Sequence, residues 1–300
     1  MSGNPAYVEV AKKLSRGSLK NSYDTFNRVE YQDSLNNDRF QFPEEFISIY
    51  HHPVYQTLTD EQKWKLSLAE AVNFFSVNIF GEQHLVQTLE KKLYRNKYIG
   101  EDRDSSRYMQ HFIHEENSHT FMLAEYCNKY WGSVMPTATI QVADPKLTKC
   151  CEELLFFGRT FILEMFLGYM NRLARYHEDL DKTVKDIHYF HLLDEVRHIA
   201  WDRAMIEANL QEAKKQGLYE EIETVKSLLE SYISVSFNSL MNPRVYRNLG
   251  IKNGVKITKE MTDNPKRNAL IDDWQKGIRD YFRKVELFEQ PEKEELEACC

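Results

Sequence analysis

Apolar residues recur every three to four positions along most of this chain, which is the spacing that buries one face of an α-helix. Capping signals bound these stretches: Thr59 and Gln62 form a capping-box pattern before the first, and Gly217 follows the last. Four long helices are therefore predicted, over about residues 59–95, 105–130, 145–177 and 181–216. The third is apolar almost all round (LLFFGRTFILEMFLGYM), so we expect it at the centre of a bundle.

Shorter elements are predicted on either side of these four helices. Helical turns are expected near residues 8–14 and 43–50, a fifth helix over about 218–240, and a final amphipathic helix over about 265–287. The turn-like sequence IKNGVKI within residues 244–264 predicts a two-stranded hairpin. We expect one all-α domain that comprises an N-terminal extension (1–58), a four-helix bundle with a fifth helix (59–240), a C-terminal hairpin and helix packed on the bundle (241–288) and a disordered tail (289–300).

Composition and charge exclude several classes of function. The formal net charge is −7 and no basic face is visible, so nucleic-acid binding is not expected. The most apolar run, residues 154–170, contains Arg159 and Glu164, and the first residues lack the apolar stretch of a leader peptide, so no membrane segment is expected. The five cysteines have neither zinc nor disulfide spacing, which favours free thiols in the cytoplasm.

Glutamates and histidines recur in a fixed order on the four long helices. Two helices carry an E-x-x-H motif, and each of these follows a helix with one glutamate inside an apolar run. Glu164 is the most informative, because FILEMFL offers it no solvated face, and a buried carboxylate is costly unless it is paired or binds a metal. One E-x-x-H alone is compatible with a surface pair, but the whole set indicates the two-metal site of ferritin-like bundles. The set is Glu82, Glu116, His119, Glu164, Glu195 and His198.

His191 extends this set by one nitrogen donor. It precedes Glu195 by four residues and His198 by seven, so the three side chains share one helix face and are expected to reach one point beside it. The alternative is a core histidine bonded to backbone. Four carboxylates and three imidazoles without a thiolate favour iron or manganese over structural zinc, and reduction of oxygen favours a pair of iron ions.

An acidic residue stands directly before each motif glutamate. Metal-bound imidazoles usually donate their other N–H to a carboxylate. We therefore predict that Asp194 serves His119 and that Glu115 serves His198 across the bundle; the alternative for both carboxylates is a solvated position. Arg197 is the predicted partner of these two carboxylates.

The chain resembles the AurF-like diiron oxygenases, the family of the para-aminobenzoate N-oxygenase, within the ferritin-like superfamily. The resemblance covers roughly residues 60–210, with a compatible helical tail to about 288, and rests on the order and spacing of Glu82, E-x-x-H, Glu164 and H-x-x-x-E-x-x-H. It implies a ferritin-like four-helix bundle core with additional N- and C-terminal helices. It also implies that Glu116 and Glu195 bridge two iron ions, that Glu82 and His119 complete one ion, and that the other is completed by Glu164, His191 and His198.

The resemblance also implies a reaction, in the biosynthesis of specialised metabolites. The diferrous site would bind dioxygen and form a peroxo-diferric species that oxidises an amine to a hydroxylamine and, in some members, to nitroso and nitro products. Two electrons would come from an external donor, such as an electron-transfer protein. The first long helix has no arginine beside Glu82 to anchor a substrate carboxylate. A carrier-protein-tethered amino acid is therefore an alternative to a free aryl amine.

The substrate pocket is expected one helical turn from the ligands. Its predicted lining is mostly apolar, which suits an aryl or aliphatic amine and equally suits plain core packing. The predicted lining residues are Phe75, Asn78, Ile79, Phe157, Phe161 and Gly168.

Two other functions are compatible with the same motifs. One is a diiron oxygenase that hydroxylates or desaturates carbon in a carrier-bound substrate. The other is an iron-storage or iron-sensing bundle, which the extra length and His191 disfavour. A homodimer is one assembly that such a bundle could form.

Overall fold

The computed structural model describes residues 5–95, 103–136, 145–247 and 249–290. These residues form helices, with a long segment over residues 21–59 that contains only short 3₁₀ turns, and they contain no strand beyond an isolated bridge between Phe40 and Leu180. The all-α fold predicted from the sequence is thereby confirmed. The helices are α1 (Pro5–Lys20), α2 (Asp60–Arg95), α3 (Arg103–Trp131), α4 (Lys149–Tyr176), α5 (Lys182–Lys215), α6 (Tyr219–Asn238), α7 (Pro243–Arg247), α8 (Gly254–Thr262) and α9 (Pro265–Lys284).

Local chemistry fixes the ends of the long helices. At the start of α2, the Gln62 N–H donates to Thr59 Oγ1 (3.3 Å) and the Thr59 N–H donates to Gln62 Oε1 (2.9 Å), which confirms the predicted capping box. At the start of α5, Asp181 accepts a 2.8 Å hydrogen bond from the Thr183 N–H. Gly217, at φ 71°, follows the end of α5, because glycine adopts this left-handed conformation without strain.

Two antiparallel helix pairs form the bundle, with α2 packed on α3 and α4 packed on α5. Helix α1 lies across α3 and α5, whereas α6 and α9 cover α4. Helix α4 is thus enclosed on several sides, as its almost continuous apolar sequence predicted. At Gly158, an added Cβ would lie only 2.8 Å from a methyl carbon of Leu229, so glycine permits the close approach of α6.

The predicted hairpin within residues 244–264 is wrong, because this segment forms α7 and α8. Asn253 adopts the left-handed conformation at φ 62°, and the Asn–Gly pair thereby starts α8 instead of joining two strands. Ile257 and Met261, four residues apart, are the buried residues of α8, so the apolar period is helical.

Several predicted boundaries also needed correction. Helix α1 is longer than the predicted 8–14 because Ala11, Leu14 and Ser18 continue one buried stripe. Within residues 43–50 only Glu44–Phe46 form a short 3₁₀ turn, and the third long helix begins at Lys149 instead of 145. The predicted disordered tail (289–300) lies largely outside the described residues.

Two smaller expectations concern the membrane and the cysteines. Over the described ranges, no helix combines the length and the apolarity that crossing a bilayer requires. Cys127, Cys150 and Cys151 are buried free thiols, as expected.

Candidate metal centre

All seven predicted ligands meet in the middle of the bundle, where each is at most 1% exposed. They form two adjacent groups, in each of which one donor atom per residue lies within 4.8 Å of the others. The first group comprises Glu82, His119 and His191, and the second comprises Glu116, Glu164, Glu195 and His198. The helical spacing explains this convergence, since residues three, four or seven apart share one face of α3 or α5.

Two glutamates reach both groups. Glu195 Oε1 lies 2.7 Å from His191 Nε2 and 3.3 Å from His119 Nδ1, whereas its Oε2 lies 3.6 Å from His198 Nδ1. Glu116 Oε1 lies 2.7 Å from His198 Nδ1, and its Oε2 lies 3.9 Å from His119 Nδ1. Each carboxylate therefore offers one oxygen to each group, which is the geometry of a bridging ligand.

The position of His191 differs from the expectation. Its Nε2 lies 3.3 Å from Glu82 Oε1, so it belongs with Glu82 and His119, and its predicted sharing of an ion with Glu164 and His198 is wrong. Seven residues advance an α-helix by about 10 Å. His191 and His198 therefore share a face without reaching one point, and Glu195 lies between them.

The outer nitrogens of two histidines are held by carboxylates, as predicted. His119 Nε2 donates to Asp194 Oδ2 at 3.1 Å, and His198 Nε2 donates to Glu115 Oε2 at 2.9 Å. Arg197 Nη2 joins the two carboxylates, at 2.6 Å from Glu115 Oε1 and 2.5 Å from Asp194 Oδ1. These contacts fix which nitrogen carries the proton and turn both Nδ1 atoms toward the centre.

The N-terminal segment completes this outer network, which the sequence analysis missed. Tyr23 donates a 2.9 Å hydrogen bond to Asp194 Oδ2, and Arg28 forms an ion pair with the same carboxylate. The Arg28 guanidinium also lies 3.2 Å from the centroid of the Tyr23 ring. One sequence signal was available: two carboxylates predicted to be near the centre, Glu115 and Asp194, shared one predicted cation, Arg197, which left room for a second.

The pKa shifts follow from burial and from these neighbours. Burial alone would raise the pKa of Glu116, but His198 and His119 outweigh it and lower the value to about 2. Burial likewise opposes the ionised form of Asp194, yet its bonds with His119 and Arg28 hold its pKa well below the usual range. Burial and then the charge of Glu116 raise the pKa of Glu82 well above its ordinary value.

The donor set fits two metal cations. Neither oxygen of Glu164 or Glu195 accepts a hydrogen bond from the residues that the structure describes. The inward nitrogens of the three histidines likewise form no hydrogen bond with them, although His191 Nε2 and His198 Nδ1 each lie 2.7 Å from a carboxylate oxygen. Buried carboxylates in this number require compensating positive charge. Oxygen and imidazole donors in two groups that share Glu116 and Glu195 are the donor set of a diiron-type site.

The predicted lining residues lie in different places. Phe75 contacts His188 at 5.5 Å between ring centroids, and Asn78 is fully buried one turn before Glu82. Phe161 packs instead on α9 through Tyr281, at 4.4 Å between ring centroids. The remaining three, Ile79, Phe157 and Gly168, are buried in the core, and the pocket itself stays a prediction.

Three buried polar residues near the centre received no role from the sequence. His188 Nδ1 lies 2.7 Å from Asn171 Oδ1, one turn before His191. Asp202, one turn after His198, is fully buried, and its carboxylate accepts no hydrogen bond from a described residue. The available signal was spacing, because His188 and Asp202 each lie seven residues from Glu195 and therefore on the ligand face.

Comparison with known proteins agrees with this geometry. Residues 4–286 match the family model described as "P-aminobenzoate N-oxygenase AurF". No curated protein matched the chain. Three solved structures of R2-like ligand-binding oxidase mutants with a reconstituted Mn/Fe cofactor share its fold. Two of these mutants are each 14% identical to this chain, with TM-scores of 0.52 and 0.53; the alignments cover 93% and 92% of this chain and 92% of each of those chains. The third mutant is 12% identical, with a TM-score of 0.55, and the alignment covers 94% of both chains.

These findings establish both the class of fold and the class of enzyme. The structural likeness places the helices in a ferritin-like bundle, and the family match covers that bundle together with the flanking helices. The chain is an oxygenase-class enzyme with a diiron-type cluster, and it belongs to the AurF family of N-oxygenases.

Proposed function

We propose that this protein is a non-haem diiron, dioxygen-dependent N-oxygenase that converts the amine of a small molecule to a hydroxylamine, nitroso or nitro product. The observation that carries the proposal is the pair of donor groups joined by Glu116 and Glu195, with three imidazoles among seven buried ligands. Membership of the AurF family supports nitrogen as the atom that is oxidised.

The proposed ligands divide between the two ions according to the geometry. Glu82, His119 and His191 would hold one iron ion, Glu164 and His198 would hold the other, and Glu116 and Glu195 would bridge them. When bound, the two ions would supply electrons for the reduction of dioxygen, which an external electron donor would replace.

The protein's own residues then perform three tasks. Asp194 and Glu115 fix the inward-facing tautomers of His119 and His198. The bundle buries every ligand and keeps bulk water from a reactive centre. The three imidazoles add donors without adding negative charge, which supports an oxidant suited to attack on an amine.

The substrate proposed is an aryl amine or an amino acid, either free or tethered to a carrier protein. Oxidation of carbon in a carrier-bound substrate and iron storage are the outcomes that would replace this proposal.

The test begins with the reduced, iron-loaded full chain and a panel of aryl amines and aminoacyl carrier proteins. We expect about two irons per chain, an absorption transient on mixing with dioxygen, and products that carry one or two new oxygen atoms on nitrogen, with loss of two hydrogens in the nitroso and nitro products. If the fully loaded protein oxidised no amine in this panel, N-oxygenation would be rejected. Many irons per chain would indicate storage, and oxygen on carbon would indicate the other oxygenase.

A further inference from the structure

Three buried side chains with unpartnered polar atoms lie on the helices that carry metal ligands, within one or two turns of those ligands. Asn78, Asn171 and His188 are at most 1% exposed. Both amide atoms of Asn78, the Nδ2 of Asn171 and the Nε2 of His188 form no hydrogen bond with any described residue. Buried polar atoms in folded proteins are normally hydrogen-bonded to protein, to ordered water or to a bound ligand, so these four atoms are available to a ligand.

Helical spacing places Asn78 between the metal centre and the Asn171–His188 pair. Glu82, four residues after Asn78, contacts His191 across the bundle. Phe75, three residues before Asn78, contacts His188. Asn78 shares a face of α2 with both. Along their helices, Asn78 therefore lies about one turn, or roughly 5 Å, from Glu82, and His188 lies about one turn from His191. A single aromatic ring spans a comparable length.

The hydrogen bond between His188 and Asn171 determines what this site offers. Asn171 Oδ1 is an acceptor, so His188 Nδ1 carries the proton and donates it. In the neutral ring, Nε2 is then an acceptor, and Asn171 Nδ2 remains a donor. Asn78 adds one donor and one acceptor. A ligand that suits all four atoms must both donate and accept hydrogen bonds.

The site carries no positive charge to bind an anion. Burial lowers the pKa of His188 to about 3, so its imidazole is neutral. Within the described part of the chain, no lysine or arginine side chain forms a hydrogen bond or ion pair with Asn78, Asn171 or His188. A carboxylate, which only accepts, would face the lone pair of His188 Nε2 without compensation.

We propose that Asn78, Asn171 and His188 bind an uncharged substrate group that both donates and accepts hydrogen bonds, such as a primary carboxamide, while the substrate amine lies at the metal centre. This inference rests on the proposed N-oxygenase function and names the class of its substrate. It distinguishes this chain from an enzyme that binds a free aminobenzoate. A carboxamide is uncharged and donates hydrogen bonds, whereas the carboxylate of aminobenzoate is charged and only accepts them.

The first test compares three amines that differ only at the position opposite the amino group: 4-aminobenzamide, 4-aminobenzoate and 4-methylaniline. Calorimetric titration of the iron-loaded full chain should give at least about tenfold tighter binding for the carboxamide than for either other amine. Equal affinities for carboxamide and methyl, or a preference for the carboxylate, would overturn the proposal.

The second test uses Asn78→Leu, which keeps the approximate volume and removes the polar atoms. If Asn78 serves a ligand only, the variant should melt a few degrees higher without ligand, because an unpartnered buried amide is removed. It should also lose the preference for the carboxamide. A lower melting temperature with an unchanged preference would show that Asn78 is structural.

Asn73→Leu on the same helix is the matched control. Asn73 is equally buried, but its Nδ2 donates to the Leu240 carbonyl (3.1 Å) and its Oδ1 accepts from Asn242 (2.9 Å). This variant should melt lower and keep the wild-type preference, because Asn73 lies outside the proposed site. An Asn73→Leu variant that lost the carboxamide preference would contradict the assignment to Asn78.

Product analysis separates the two proposals. If the carboxamide binds preferentially but no nitrogen is oxidised, the binding site stands and the N-oxygenase function fails. If all three amines are oxidised with no preference in binding, the function stands and the binding site fails.

Discussion

The two halves of the metal centre are supported in different ways. On the α3/α5 half, His119 and His198 are bonded to Asp194 and Glu115, which are tied together by Arg197. On the α2/α4 half, Glu82 accepts only a 3.3 Å hydrogen bond from Thr120, and neither oxygen of Glu164 accepts one from a described residue.

This difference indicates that the ligands have different roles. A histidine that is fixed by a charged network keeps its tautomer and direction, so His119 and His198 are the ligands whose positions are set. Glu164, and Glu195 on α5, accept no hydrogen bond from a described residue and can change how they bind during turnover, and the proposed binding site around Asn78 lies beside Glu82 of the α2/α4 half. We therefore expect dioxygen and substrate to approach from the α2/α4 half.

The largest expected effect comes from removing His191, the α5 ligand that contacts Glu82 of α2. His191→Ala should lower turnover by more than about a thousandfold, because one ion loses a nitrogen donor. The melting temperature should stay within a few degrees of wild type. Steady-state kinetics and thermal unfolding of the iron-loaded protein measure both. Exposed His84 on α2 provides the control, since His84→Ala should leave both unchanged. Wild-type turnover in His191→Ala would remove His191 from the ligand set.

The charged network should account for much of the stability on the α3/α5 half. Arg197→Leu leaves the buried Glu115 and Asp194 without this cation, so it should lower the free energy of unfolding by about 3–5 kcal/mol. Denaturant titration measures the change. An effect below about 1 kcal/mol would show that Arg28 and the histidines suffice. Exposed Arg203→Leu is the control and should change stability little.

Glu70 is a buried carboxyl group outside the candidate metal centre, so it shows how burial shifts the pKa of a carboxyl group that has no metal ion beside it. Glu70 is 3% exposed and accepts hydrogen bonds from Ser48, and burial raises its pKa to about 7. The folded state therefore binds more protons than the unfolded state between about pH 4.5 and 7, and stability falls as pH rises through this window, by up to about 3 kcal/mol.

Replacement of the Glu70 carboxyl group by an amide should remove this fall in stability with rising pH. Glu70→Gln should gain stability relative to wild type from pH 4.5 to 7, whereas exposed Glu61→Gln should not. Unfolding free energies measured across this range give the result. A difference between Glu70→Gln and wild type that did not change with pH would contradict the raised pKa of Glu70.

The outer partners of the two halves should differ in their effect on metal binding. Asp194→Asn should weaken metal affinity or activity by about 10–100-fold, because the amide no longer fixes the tautomer of His119. Thr120→Val, which removes the bond to Glu82, should cost less than about threefold. Metal titration and kinetics compare the two. Equal losses would contradict the distinction between the halves.

The sequence by itself determined the long helices and indicated the residues that meet in the candidate metal site. Residues three, four and seven apart share a helix face whatever the surroundings, so E-x-x-H and the apolar run around Glu164 could be interpreted locally. The pairing of Asp194 with His119 and of Glu115 with His198 also followed, because a buried metal-binding imidazole needs an outer acceptor.

Only the tertiary structure decided how these faces meet. The axial register between α2 and α5 placed His191 beside Glu82, and packing of the N-terminal segment brought Tyr23 and Arg28 to Asp194. The His188–Asn171 pair likewise depends on how α4 and α5 align. A helical period fixes direction around one axis, but it carries no information about the relative height or rotation of two helices, which side-chain packing between them sets.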